Sequence, residues 1–203
     1  MFEGYQMPAR KAFSAPKGTI LFSPGQDCPG FLRLTQGCIK VTLTGSSGRE
    51  VVLYRVHSGE VCLQTFTCLI EDQSYAAEGV VEEDLQGDLI PADQFRQALE
   101  QDPDFRTEVL TSVALRFSEY QQLIEDVALT GFDARLAKVL LRLRDEAGLV
   151  HATHTALAAE TASGRAYVSR RLAEFARRGL VEQRPDGIRI CRSAELVQIA
   201  EQK

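Results

Sequence analysis

Two sets of side chains in this sequence have types and spacings that could do chemistry. The first is Arg165, Tyr167, Ser169 and Arg170, with Arg171 at the margin. A helical period puts them on one face of a segment whose other face carries Val168, Leu172, Phe175 and Ala176. Guanidinium and hydroxyl groups projecting from one helix face suit base edges and phosphate oxygens. The second set is Cys62 and Cys68, in Val-Cys-Leu-Gln-Thr-Phe-Thr-Cys-Leu. Such thiols can oxidise or take up sulfur. Residues six apart on a helix are ~9 Å apart along its axis, beyond the ~7 Å a disulfide tolerates, so a direct bridge would unwind the segment. Free cysteines are also among the most buried residue types, and two small core residues stay open as the plainer account.

The arginine face needs a scaffold, and the flanking sequence supplies one. Thr153 can cap a short helix bearing Leu157, Ala158 and Thr161 on one side, and a turn at Ala162-Ser163 leads into the second helix, which ends at Gly179. Ala158 is small enough to let the two helices touch. Leu180–Gln183, the turn Arg184-Pro185-Asp186-Gly187 and Ile188–Ile190 predict a two-stranded ribbon, completing a winged helix-turn-helix.

Charge divides along the chain. Residues 1–130 carry 10 Lys and Arg against 19 Asp and Glu, a net −9, whereas residues 131–203 carry 13 against 9, a net +4. An acidic part joined to a basic one argues for a local nucleic-acid footprint over general adhesion to polyanions. No apolar run approaches the ~20 residues that span a bilayer, and no basic-then-apolar signal opens the chain, so the expected location is the cytoplasm, without membrane contact. Five cysteines without framework spacing fit a reducing compartment.

Residues 12–95 predict short strands, Thr19–Phe22, Phe31–Leu34, Ile39–Leu43, Val51–Arg55, Tyr75–Val81 and Asp84–Ile90, with no convincing helix, after a short helix at Met1–Lys11. A small antiparallel barrel or jelly roll follows. Asp93–Glu100 predicts a short helix. After Asp102-Pro103 a long helix runs to about Leu129, with Leu110, Val113, Phe117, Tyr120, Ile124 and Val127 spaced 3, 4, 3, 4 and 3. That heptad pattern suggests a two-fold seam between chains, with Leu115 and Leu123 packing on the chain's own β-roll. Gly131, freeing the backbone, and Asp133, capping the next helix at Ala134–Ala147, form the expected hinge, and Gly148 closes that helix. The domains expected are 1–102, 103–130 and 131–203, in an α+β fold.

Val-Ser-Arg-x-Leu at Val168–Leu172, the ending Arg178-Gly179-Leu180, the wing, and the β-roll's glycine order through Gly59-Glu60 resemble the bacterial catabolite-activator and fumarate-nitrate-reductase-regulator (Crp/Fnr) superfamily over nearly the whole chain. The resemblance implies a homodimeric transcription regulator on a palindromic double-stranded operator, in contact with RNA polymerase, and no enzyme. It implies base contacts from Arg165, Ala166, Ser169 and Arg170. Thr153, Arg171, Arg177, Arg178, Arg184 and Arg189 would grip phosphates. Where many relatives have Glu, Ala166 cannot read a cytosine amino group, and Ala162 replaces the usual turn glycine.

The cyclic nucleotide cassette departs from the family pattern. Gly59-Glu60 is present, but Gln73-Ser74-Tyr75 replaces the phosphate-holding Arg. No Lys or Arg lies between Arg55 and Arg96, among nine acidic residues. A buried phosphodiester there would lack a cation, so cyclic AMP is not expected. Cys62 and Cys68 are the leading sensor candidates in its place. Haem, as in the superfamily's carbon monoxide sensor, lacks its His because Gln64 stands there, and His57 could substitute only if its loop allowed it. An iron–sulfur cluster needs four thiolates, and only Cys28 and Cys38 lie early. Zinc on His57, Cys62 and Cys68 lacks a fourth ligand. No cofactor is therefore expected. Thiol-transfer catalysis at Cys62 lacks a nearby base or cation, and a ligand-independent DNA-binding protein with inert cysteines is the remaining alternative.

Overall fold

The computed structural model describes residues 11–202; the helix expected at Met1–Lys11 lies outside them except for Lys11, which opens a strand. Two compact units emerge, one of residues up to Leu43 with Leu53–Tyr120, the other of Thr44–Val52 with Gln121 onward.

The first unit is built on β1 (Lys11–Ala15), β2 (Ile20–Phe22), β3 (Gly30–Thr44), β4 (Glu50–His57) and β5 (Glu78–Pro91), with α1 (Leu63–Glu71) and α2 (Ala92–Gln101). The antiparallel sheet runs β1-β5-β3-β4, and β2 also pairs with β5. Two expected breaks are absent. Gly37 does not end a strand: it sits inside β3 at φ +86°, where the register against β5 shifts. A Cβ there would lie 2.4 Å from the Asp84 carbonyl oxygen, so the bulge brings the two backbones closer than any side chain permits. The strands expected at Tyr75–Val81 and Asp84–Ile90 are likewise one strand. Conversely, α1 is a helix where the strand-rich sequence promised none.

Alternation along the strands buries Phe22, Leu34, Ile39, Val41, Val56 and Leu85. A second cluster stacks Phe31 on Phe95 with ring centroids 4.5 Å apart, and Phe105 meets them edge-on. α3 (Pro103–Leu129) turns Phe105, Val109 and Arg116 inward. Leu115, expected to pack, is 63% exposed, because it lies about 100° around the helix from that face.

The second unit contains α4 (Phe132–Leu143), β6 (Leu149–Val150), α5 (His154–Glu160), α6 (Arg165–Arg177), β7 (Val181–Arg184), β8 (Gly187–Ile190) and α7 (Ser193–Ala200). α4 ends four residues earlier than expected: Arg144 is extended, and a turn with Gly148 at φ +77° feeds β6, which adds a third strand to the wing through β8. Leu136, Leu140, Leu157, Val168, Leu172, Phe175, Leu180 and Leu196 form the fully buried core. No helix among the described residues is long and apolar enough to cross a membrane.

Candidate nucleic-acid interface and sensor site

The helix-turn-helix is assembled by local chemistry. The Thr153 hydroxyl accepts from the Ala156 N–H at 3.1 Å, capping α5. The Ser163 N–H donates to the Ala158 carbonyl at 2.9 Å, and the Thr161 and Ser163 hydroxyls, both buried, are 3.0 Å apart. Ala162 takes φ +50°, the left-handed conformation for which a glycine is the usual choice, at roughly 1–2 kcal/mol. Val168, Leu172 and Phe175 are fully buried, so the opposite face of α6 is necessarily the open one.

On that face Arg165, Ala166 and Arg170 are exposed, with the Arg170 guanidinium 5.7 Å from the Tyr167 ring centroid. Tyr167 in turn lies against Phe132, centroids 4.4 Å apart. Ser169 is half-buried: its Oγ donates to the Arg165 carbonyl at 3.0 Å and lies 2.8 Å from His154 Nδ1. His154 thus joins the first helix of the motif to the second. Its position one residue after the cap was visible in sequence, but its partner lies fifteen residues on.

Arg171, expected at a phosphate, is engaged within its own unit. Its guanidinium forms a two-point ion pair with Asp133, Nε to Oδ1 at 2.6 Å. Asp133 correspondingly does not cap α4; Gly131 occupies the N-cap with an ordinary φ of −57°. The pair straps α6 to α4, and the Asp133 carboxylate raises the Arg171 pKa. The α3–α4 junction is held by Arg135, whose Nη1 donates to the carbonyls of Asp126, Val127 and Thr130, and by Lys138 on Asp126 at 2.9 Å. A Cβ at Gly131 would meet nothing within 4 Å, so glycine is not required there.

Of the wing arginines, Arg184 pairs with Glu182 at 2.7 Å, whose carboxylate raises its pKa, while Arg189 is exposed. Arg177 pairs with Glu174, and Arg178 is exposed beside it. A groove of ≈ 350 Å³ runs between the wing and the start of α5, lined by His151, Thr153, His154, Gln183, Arg184 and Asp186.

In the first unit, Glu60 Oε2 accepts from the His57 N–H at 2.6 Å and pairs with Arg116 of α3. Arg116 is 5% exposed; its Nη1 also donates to the Arg55 carbonyl at 2.8 Å and to Glu119 at 2.6 Å, and it lies over the Tyr54 ring. A guanidinium therefore reaches Glu60 from fifty-six residues away, which no local spacing discloses.

Cys62 is the N-cap residue of α1 and is wholly buried, with the Tyr54 hydroxyl beside its sulfur. That hydroxyl accepts from the Gln64 N–H at 3.2 Å, and the Tyr120 ring meets Tyr54 edge-on. Burial raises the Cys62 thiol pKa, and likewise pushes Cys68 up to about 11, with the neighbouring Cys28 adding to it. Neither is an activated thiolate. Cys28, half-buried and absent from the sequence-derived sensor pair, lies 3.2 Å from the Tyr75 hydroxyl. His57 is exposed at the end of β4, and among the described residues no three His, Cys, Asp or Glu side chains are arranged to hold a metal ion.

Of the expected seam residues, Leu110, Phe117 and Ile124 are 54%, 61% and 65% exposed, and Val127 is also exposed. Ala114, Gln121 and Ala128, all exposed, flank them. Val113 packs against the Phe31–Phe95 cluster and Tyr120 against Tyr54, so these two face their own unit.

Known proteins share this arrangement. A family model described as a cyclic nucleotide-binding domain matches residues 12–102, and one described as a Crp-like helix-turn-helix domain matches residues 134–199. A Crp/Fnr-family regulator from Eubacterium rectale is 26% identical, with a TM-score of 0.87 over 95% of this chain and 90% of that one. A Crp/Fnr-family regulator from Thermus thermophilus shares the fold at 22% identity and TM-score 0.77, covering 95% and 99%. So does a c-di-GMP-responsive global regulator from Xanthomonas campestris, at 16% identity and TM-score 0.78, covering 89% and 93%. No curated protein matches the chain. The chain belongs to the Crp/Fnr family of transcriptional regulators and is not an enzyme.

Proposed function

We propose that this regulator acts as a homodimer that binds a two-fold operator and answers to thiol chemistry in place of cyclic AMP. Pairing rests on the row Leu110, Phe117 and Ile124, repeated every seventh residue and more than half exposed in a single chain. Large apolar groups in such a row are costly to leave in water and fit the same row of a second chain. Two α6 helices then address half-sites one DNA turn apart. Arg165 and Arg170 read bases together with Ser169 and Ala166, while Thr153, Arg178, Arg184 and Arg189 hold phosphates. Arg171 acts indirectly, by fixing the pitch of α6 against α4. The α3–α4 junction at Gly131 and Asp133, clasped by Arg135, transmits the state of the sensor. RNA polymerase is the further partner.

Cyclic AMP is disfavoured by charge: Glu60 is already neutralised by Arg116, and the interval from Val56 to Phe95 brings no Lys or Arg for a phosphate. The thiols of Cys62 and Cys68, buried under Tyr54 and within α1, lie where an effector would otherwise be felt. A direct bond between Cys62 and Cys68 would have to open α1.

The row on α3 is the observation that carries this proposal. Selection from a random duplex pool at fixed salt is expected to enrich an inverted repeat, with the protein a dimer by light scattering. Phe117→Glu is expected to give monomers that lose the operator, and Arg165→Ala to relax sequence preference at one base pair per half-site by about 1–3 kcal/mol. A monomeric wild type, or affinity indifferent to reduction and oxidation of the thiols, would refute it.

A further inference from the structure

The thiol cluster contains a pairing that spacing along the chain does not suggest. Cys28 sits in the loop between β2 and β3, which is zipped to the segment after α1: the Gly25 N–H donates to the Tyr75 carbonyl at 2.8 Å and the Tyr75 N–H to the Gln26 carbonyl at 3.0 Å. This fastening brings Cys28 Sγ to 3.9 Å from the Thr65 carbonyl, one turn before Cys68, and packs Cys28 against the apolar cluster that contains Cys68. Cys62 and Cys68, in contrast, stand at the two ends of a two-turn helical stretch.

We propose that Cys28 and Cys68 form a reversible disulfide on exposure to hydrogen peroxide, with Cys28 the sulfur oxidised first. This deepens the thiol-responsive account of the sensor and rests on it. Cys28 is the cluster's half-exposed member, whereas Cys68 is 5% exposed and Cys62 is sealed. The Tyr75 O–H donates to Cys28 Sγ at 3.2 Å and fixes the orientation of that sulfur. Burial raises the Tyr75 pKa, so the phenol keeps its proton and remains a donor.

In the first step the Cys28 sulfur displaces water at one peroxide oxygen: the O–O bond breaks, an S–O bond forms, and the sulfur is oxidised by two electrons to a sulfenic acid. In the second step the Cys68 sulfur attacks that sulfur: the S–S bond forms, the S–O bond breaks, and hydroxide leaves with the Cys68 proton as a second water. Two thiols and one peroxide thus give one disulfide and two waters. The bond would anchor α1 to the β2–β3 loop without unwinding it. Cys68 is a well-placed lever, because its carbonyl already accepts from the Gln73 N–H at 3.2 Å at the helix end, and Arg96 of α2 donates to the adjacent Leu69 carbonyl.

The test uses the full chain, reduced and then given one equivalent of hydrogen peroxide. Remaining thiols are alkylated in denaturant, and the protein is digested with chymotrypsin, which separates Cys62 from Cys68 after Phe66. A linked mass joining the Cys28 and Cys68 peptides is expected in wild type and Cys62→Ser. It should be absent in Cys28→Ser and Cys28→Ala, with Cys68 about tenfold slower to lose its free thiol in both. A link between Cys62 and Cys68, or unchanged Cys68 oxidation in both Cys28 variants, would overturn the pairing while leaving thiol sensing intact. A Cys28–Cys68 link with no change in operator affinity would sustain the chemistry and remove its regulatory role. No mass change at any cysteine would overturn both.

Discussion

Replacing Arg116 with Met tests the centre of the sensor domain. The substitution keeps most of the buried stem and removes the charge. Four contacts are lost: the Glu60 and Glu119 ion pairs, the bond to the Arg55 carbonyl, and the seat over Tyr54. The carboxylates are 36% and 50% exposed and regain water, so each pair contributes only about 0.5–1 kcal/mol. The lost bond to the Arg55 carbonyl costs about 1–2 kcal/mol and the ring contact about 1 kcal/mol, giving a loss of about 3–5 kcal/mol. For a chain of this size that lowers Tm by roughly 6–20 °C. Near-UV circular dichroism follows it well, because Tyr54, Tyr75 and Tyr120 all lie in the first unit. Arg116→Lys should recover only part of the loss, since one ammonium cannot reach both acids and the carbonyl with the same geometry. A Tm within about 1 °C of wild type would show that Arg116 is solvated and that Glu60 remains available to a ligand, refuting the charge argument against cyclic AMP.

Three further outcomes follow from backbone strain and burial. Ala162→Gly should relieve the left-handed turn of the DNA-binding motif and raise stability by up to about 1 kcal/mol; a loss of stability in urea melts would deny the strain. Gly37→Ala, whose Cβ would lie 2.4 Å from the Asp84 carbonyl oxygen at φ +86°, should cost roughly 3 kcal/mol or more, and a neutral effect would contradict the bulge. Burial pushes both the Cys38 and Cys68 thiols up to about 11 from 9.0. Unfolded thiols therefore release protons that the folded chain keeps, and their stabilising contribution, intact below pH 9, is lost as pH rises toward 11. Each thiol adds a slope of at most about 1.4 kcal/mol per pH unit, and Cys38→Ala with Cys68→Ala should flatten it between pH 9 and 10.

Local rules carry the sequence reading a long way in the second unit. Thr153, Ala158, Val168, Leu172, Phe175 and Gly179 specify two helices and their contact through caps, sizes and a 3.6-residue period, all within twenty-seven residues. The strands of the first unit are equally visible by alternation, and the long helix by its heptads. Where a signal was ambiguous, longer-range structure decided. Gly37 marks a turn by type, yet in place it allows β3 to approach β5 without stopping. α7 left no mark in the sequence reading, being short and fastened by packing on α4.

The sequence by itself determined the class of protein, because helix periods, caps and turns act between residues a few positions apart, and because the arginines of α6 had only one face left to occupy. Tertiary structure alone decided what those side chains do. It bound Arg171 to Asp133 across thirty-eight residues, brought Arg116 onto Glu60, turned Val113 and Tyr120 inward from their heptad row, and laid Cys28 against the cluster that holds Cys68. Each of these pairings is set by where the sheet and helices bring distant segments together, and charge, hydrogen bonding and thiol chemistry act through space with no regard for distance along the chain.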